Sequence, residues 1–218
     1  MVNWISCNNI KVVNPGAEDL RFLKPDAFIS IKGEPILLTL SRLEKRKGHA
    51  LVLQAVKRLK EKFPKIKYFI VGDGDQKPEL ERIVKKYDLI ENVHFTGILN
   101  EHQKKYLLDQ VSLMIMPTLD ERHNLSIEGF GISYIEAGMH GIPSISSGLG
   151  GTKESVIDGK TGIICNPNNV SSIKDSIRKV LINKTMYKKL SINSKNFSKK
   201  FLWKNTIRNY LKLITKDF

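Results

Sequence analysis

The chain is expected to fold as an α/β domain built on a doubly wound parallel sheet with helices on both faces. Two patterns predict this. Short uncharged runs such as "PILLTLS" and "SLMIMP" read as strands buried on both sides, and each is followed by a stretch with apolar residues at helical spacing. In the first unit, "GHALVLQAVKRLKEKF" places Leu51, Leu53, Val56, Leu59 and Phe63 at that spacing. "IKYFIVG" with "KPELERIVKKYDL" forms a second unit, and "NVHFTG" with "EHQKKYLLDQ" a third. After "SLMIMP" come a polar loop, the helical "SYIEAGMHG" and the strand-like "IPSISS". Strands alternating with helices require right-handed crossovers, which distribute the helices over both faces. Ligands of such sheets bind at the loops beyond the carboxyl ends of the strands. From Ser171 to Phe218 the chain reads as helices whose only acids are Asp175 and Asp217. The last of these, "FLWKNTIRNYLKLITK", puts Trp203, Ile207, Tyr210, Leu211 and Ile214 on one face, which needs a surface to pack on.

With 218 residues and 41% hydrophobic composition, the chain can bury a real core. A formal charge of +14 favours an anionic partner: a nucleic acid, a membrane face or a phosphorylated small molecule. Cys7 and Cys165 stand apart from any close Cys or His partner, which argues against a disulfide framework or a zinc site and for a reduced, cytoplasmic setting. The longest apolar runs are far shorter than a membrane span, and "MVNWISCNNIK" lacks the order of a signal peptide. Contact with a membrane would therefore be peripheral, through charge.

The residue types point to anion and sugar binding. In "EGFGISYIEA", Glu128, Gly129, Phe130 and Gly131 stand before a helix, where glycines let backbone amides approach an anion at the positive end of the helix dipole. A tight turn feeding a helix explains the same residues without a ligand. Glu136 falls at the edge of that helix's apolar face, where an ionised, acceptor-only carboxylate can take two vicinal hydroxyls or pair with a lysine. "SRLEKRKGH" follows the first strand, so Arg42 and Lys47 belong near the same sheet edge as Glu128, as a diphosphate clamp or as a solvated charge run. Asp73 and Asp75 in "VGDGDQ" read as turn residues at a strand end in preference to a metal pair. His49, His94, His102, His123 and His140 are scattered, and neither a serine nucleophile elbow nor a Walker A pattern is present.

Taken in order, "NPGAEDLRF", "LTLSRLEKRKG", "FIVGDGD", "VHFTGILNEHQ" and "EGFGISYIEAGMHGIPSISSGLGGTKESVIDGKTGIICNPNN" resemble the carboxyl-terminal, Rossmann-like half of a GT-B glycosyltransferase of family 4, the glycosyl transferases group 1. The most specific element is Glu-x7-Glu embedded in Glu-Gly-Phe-Gly. "RHNLSIEGFGISYIEAGMHGIPSI" is most similar to mannosyltransferases of phosphatidylinositol and cell-envelope glycans. The resemblance implies a retaining transferase with GDP-mannose as donor and no further cofactor or metal. It implies that Arg42 and Lys47 hold the donor diphosphate, that Glu136 binds the ribose hydroxyls, and that Glu128 lies against the sugar near the reacting carbon. Gly129, Phe130, Gly131 and Ile132 would meet sugar and phosphate through the backbone at the helix start, and Gly97, Ile98 and Leu99 would border the base.

Members of that family carry a second, acceptor-binding domain, which has no counterpart here. The expected organisation is residues 1–18 as interdomain linker, 19–200 as the donor-binding domain, and 201–218 as a helix crossing to an amino-terminal domain outside this chain. Alone, such a piece is expected to bind nucleotide and to transfer sugar poorly. Expected partners are a nucleotide sugar, that amino-terminal domain, a glycan or lipid-linked acceptor such as lipopolysaccharide core, and anionic lipid at the inner face of the membrane. Two other readings stay open. One is a family 4 enzyme using UDP-glucose or UDP-N-acetylglucosamine. The other is a nucleic-acid-binding module using the lysine-rich last third, against which stands the lack of aromatics at stacking intervals.

Overall fold

Ile36–Leu40, Lys67–Val71, Val93–Gly97, Leu113–Met116, Ser144–Ser146 and Gly162–Ile164 form strands β1 to β6 in the computed structural model, which describes residues 11–121 and 126–215. Cys7, His123 and Asp217 lie outside the described residues. The helices are α1 (His49–Leu59), α2 (Lys77–Lys86), α3 (Glu101–Leu108), α4 (Ile132–Met139), α5 (Thr152–Ser155), α6 (Val170–Ile182), α7 (Lys184–Ser198) and α8 (Trp203–Ile214). All five strand pairings are parallel, in the order β3-β2-β1-β4-β5-β6. The sheet is therefore the doubly wound one expected from the alternation of runs.

Residue alternation along each strand divides the core into two layers. Leu37, Tyr68, Ile70, Leu113 and Ile115 face α1, α2 and α6, whereas Leu38, Phe69, Val71, Met114 and Met116 face α3 and α4. Both faces are covered, which is why β4 is apolar throughout and β1 and β2 nearly so, without alternation in sequence. Thr39, the polar exception in β1, is fully buried and bonded to the Tyr68 hydroxyl at 2.7 Å and to the carbonyl of Ile115. The helical run after β1 ends as α1 at Leu59, with Phe63 beyond it still packed on the core.

Two features aim the chain at the site. The order runs outward from β1 through β2 and β3, then returns to β4 on the other side, so the loops after β1 and β4 diverge and leave a crevice between them. On one flank of that crevice, Asn100 caps α3 with its side chain on the Gln103 amide and the Gln103 side chain on its own amide. On the other flank, the buried Tyr134 hydroxyl donates to the Met116 carbonyl and pins α4 to the end of β4. Behind α4, a third cluster of Ala17, Phe130, Ile135 and Met139 packs on Phe197, Phe201 and Leu202. No described helix is long and apolar enough to cross a membrane.

Candidate functional site

A cleft of about 670 Å³ opens at the carboxyl ends of β1 and β4, walled by the loops after β1 to β4. Lys47, Ile98, Glu128, Gly129, Phe130, Gly131, Ile132 and Glu136 all border it. These residues span ninety positions of sequence and are brought together only by the sheet order. Gly97 ends β3 beside them, its carbonyl accepting from the Gly72 amide at 2.8 Å.

Glu128 is the electrostatic centre. Its Oε2 accepts from Lys47 Nζ at 2.5 Å and from Arg46 Nη1 at 2.8 Å, with all three side chains nearly buried. Burial alone would raise the Glu128 pKa, but the hydrogen bonds and charges of Lys47 and then Arg46 outweigh it and hold the carboxyl below its ordinary value. Glu128 is thus an anion at neutral pH. Arg46 also approaches Glu44 at 3.2 Å, within ion-pair range though not aligned as a hydrogen bond, and its carbonyl accepts from the Leu119 amide at 2.7 Å. The loop after β1 is thereby tied to the loop after β4.

The backbone around Glu128 is set by glycines. Gly131 adopts φ of 88° and serves as N-cap of α4 without any side-chain cap bond, so the first amides of the helix stay available at the cleft. A methyl group on Gly131 would meet the Tyr134 ring at 2.6 Å. From the loop after β5, Gly151 donates its amide to the Glu128 carbonyl at 2.9 Å and lies so close that a Cβ would stand 1.8 Å from the Gly129 carbonyl oxygen. Phe130 buries its ring away from solvent, 5.2 Å from that of Phe201, and anchors the turn in the third cluster.

At the far end of the cleft, Glu136 Oε1 accepts from Lys104 Nζ at 2.7 Å, and the same ammonium reaches Glu101 at 3.1 Å. The lysine pairing weighed for Glu136 from sequence is therefore present. Arg42 stands elsewhere: its side chain is 75% exposed, pairs with Glu44 at 2.8 Å and does not border the cleft. In the acidic turn, Asp73 accepts from the Gly74 amide at 2.9 Å and the Asp73 carbonyl accepts from the Leu43 amide at 2.9 Å. The turn thus props the loop after β1. Among the described residues no three His, Cys, Asp or Glu side chains gather as a metal site. None of the described histidines borders the cleft: His49 reaches its edge through Ser41, His94 stacks on Phe69, His102 bonds the Lys24 carbonyl and His140 meets Asp109. Sequence reasoning missed Arg46 and Lys104. Arg46 stood in view beside Lys47 in the charged run; nothing local marks Lys104.

A parallel sheet of this order, with cations, carboxylates and a helix start at its switch point, defines a Rossmann-like domain. The chain belongs to the glycosyl transferases group 1 family, whose pattern matches residues 24–197. It is 30% identical over 174 residues to a GDP-mannose-dependent alpha-(1-6)-phosphatidylinositol monomannoside mannosyltransferase of Mycolicibacterium smegmatis, covering 77% of this chain and 46% of that protein. It is also 30% identical over 182 residues to a 2-deoxystreptamine N-acetyl-D-glucosaminyltransferase of Niallia circulans, covering 83% and 45%. In structure it resembles a sucrose-phosphate synthase from Thermosynechococcus elongatus, with a TM-score of 0.78 at 23% identity over 94% of this chain and 52% of that one. The chain spans about half the length of the curated relatives it matches.

Proposed function

We propose that the cleft binds the nucleotide-sugar donor of a retaining hexosyltransferase, with GDP-mannose as donor, and that this chain is the donor half of that enzyme. The observation that carries the reading is the placement of Glu128 and Glu136 at two ends of one cleft, with Lys47, Arg46 and the start of α4 at the Glu128 end. A diphosphate suits the cations and amides, and ribose hydroxyls suit the second carboxylate. As the glycosidic bond breaks, negative charge grows on the diphosphate and positive charge on the sugar ring. Lys47 and the amides of Gly131 and Ile132 stabilise the first, and Glu128 the second.

Competition for Lys47 is resolved by Arg46. When a diphosphate draws the Lys47 ammonium, Arg46 still satisfies Glu128, so the carboxylate is not left buried and unpaired. Arg42 joins the clamp by leaving Glu44, an exposed pair worth only about 0 to 1 kcal/mol. Residues 19–200 form the donor domain in this reading. Residues 1–18 link to, and 201–218 cross onto, an amino-terminal domain that binds a glycan or lipid-linked acceptor such as lipopolysaccharide core. The charge of +14 draws the enzyme to anionic lipid at the inner membrane face, which co-sedimentation with anionic vesicles at low salt would show.

Calorimetric titration of the chain with GDP-mannose, GDP, UDP-glucose and UDP, with and without a divalent metal, tests the proposal. Metal-independent binding that favours the GDP ligands is expected; preference for UDP ligands would instead support the second reading, a UDP-sugar enzyme. Arg42→Ala and Lys47→Ala should each remove a charge-assisted contact of about 2 kcal/mol and weaken donor binding about thirty-fold. Unchanged affinity in folded variants would remove the clamp.

A further inference from the structure

Lys104 is the fourth residue of α3, in the turn where the helix dipole disfavours a cation. It contributes nothing to the cap, which Asn100 and Gln103 complete between themselves. Its side chain is nevertheless only 14% exposed and borders the cleft, with its ammonium 2.7 Å from Glu136 and 3.1 Å from Glu101. Burial lowers the Lys104 pKa, but the charge of Glu136, its hydrogen bond and those of Glu101 more than compensate and leave it raised, so the ammonium is charged across the neutral range. On the other side of the pair, Glu136 Oε1 is taken by Lys104, and among the described residues Oε2 has no partner. At least one N–H of the ammonium is likewise uncommitted, since it hydrogen-bonds Glu136 and holds Glu101 in ion-pair range.

We propose that Lys104 and Glu136 act as one diol-reading unit, Lys104 fixing the carboxylate so that Oε2 accepts from one ribose hydroxyl while its uncommitted N–H donates to the neighbouring hydroxyl oxygen. This rests on the reading of the cleft as the donor site and adds to it a residue that determines specificity for the ribose. A lone carboxylate offers only acceptors. The pair offers an acceptor and a donor side by side, which matches a vicinal diol and mismatches a sugar lacking it.

The test is titration of the chain with GDP and UDP and with their 2′,3′-dideoxy counterparts, using wild type, Lys104→Met, Lys104→Arg and Glu136→Gln. Wild type should favour the ribose forms. Lys104→Met should cut that preference about tenfold while leaving dideoxy affinity within about twofold, and Lys104→Arg should restore most of it. Equal weakening of ribose and dideoxy ligands would make Lys104 a general attractor of the diphosphate and overturn the assignment. An undiminished or stronger ribose preference in Lys104→Met would overturn it as well. If wild type bound none of the four nucleotides, the donor-site reading itself would fall, and this inference with it.

Discussion

At the scale of single residues, the cleft is a balance between burial and charge whose sign can be read at two groups. Glu128 is nearly buried, yet two cations hold it ionised. Because its folded pKa lies below the ordinary 4.5, the pairing stabilises the fold fully above that value and is lost as pH falls through the folded one. Glu128→Gln should therefore cost about 2 kcal/mol at pH 7, with the difference from wild type shrinking as pH falls below the ordinary 4.5, as urea unfolding across that range would show. His49 titrates in a separate window. Burial at the start of α1 pushes it down to about 4, so it is neutral in the folded chain while its unfolded counterpart takes up a proton near 6.5. Stability supplied by the neutral ring is complete above 6.5 and declines toward 4, with a slope of up to about 1.4 kcal/mol per pH unit. His49→Gln should flatten that part of the profile and leave the acid limb below 4 in place. A profile unchanged between pH 4 and 6.5 would assign the proton uptake to other groups.

At the scale of elements, the loop carrying Glu128 is positioned by its contact with the loop after β5, and two glycines in that contact answer differently to the same substitution. Gly151 has no room for a Cβ, which would stand 1.8 Å from the Gly129 carbonyl oxygen, so Gly151→Ala must displace one loop or the other. Gly129 has no atom within 4 Å of its own Cβ position and no left-handed backbone requirement. Gly151→Ala should lower the Tm by several degrees through a loss on the order of 2 kcal/mol, whereas Gly129→Ala should leave Tm unchanged and weaken donor binding by placing a methyl in the cleft. A donor titration beside thermal unfolding separates the two effects. The same elements show what was legible in sequence. β1, β2 and β4 announce themselves because a strand covered on both faces is apolar along nearly all its length, and the glycine turn before α4 because a backbone that must approach something closely excludes side chains. Pairings across the crevice are another matter. Lys104 and Glu136 lie 32 positions apart on two helices brought together by the order of the sheet, and no periodicity within either helix encodes their contact. Arg42 and Arg46 both lie in one charged run, and which of them turns inward to Glu128 depends on the course of a short turn that composition does not fix.

At the scale of the whole molecule, charge and exposed apolar surface oppose each other. Helix α8 has no buried residue: Trp203, Ile207, Tyr210, Leu211 and Ile214 form the exposed stripe seen in the sequence. Among the described residues its first turns are moored by Trp203 against Gly16 and by the Thr206 hydroxyl on the Asn14 carbonyl at 3.4 Å. The stripe is flanked by Lys204, Arg208 and Lys212, and the formal charge of the chain is +14. At low ionic strength this charge keeps copies apart; once salt shortens the Debye length to a few ångströms, the apolar stripe is free to bring them together. Sedimentation velocity should show the chain as a monomer near 0.05 M salt and increasingly associated toward about 0.5 M. Leu211→Glu combined with Ile214→Lys should abolish that association at a stability cost within about 0.5 kcal/mol, as befits side chains that are about half exposed. Leu190→Ala in α7, which is fully buried, should by contrast cost about 3 kcal/mol. Association that persisted in the double variant would place the contact on another face. In a longer protein whose amino-terminal domain covers the stripe, salt should have no such effect, so the comparison also tests whether α8 serves as the bridge between the two halves.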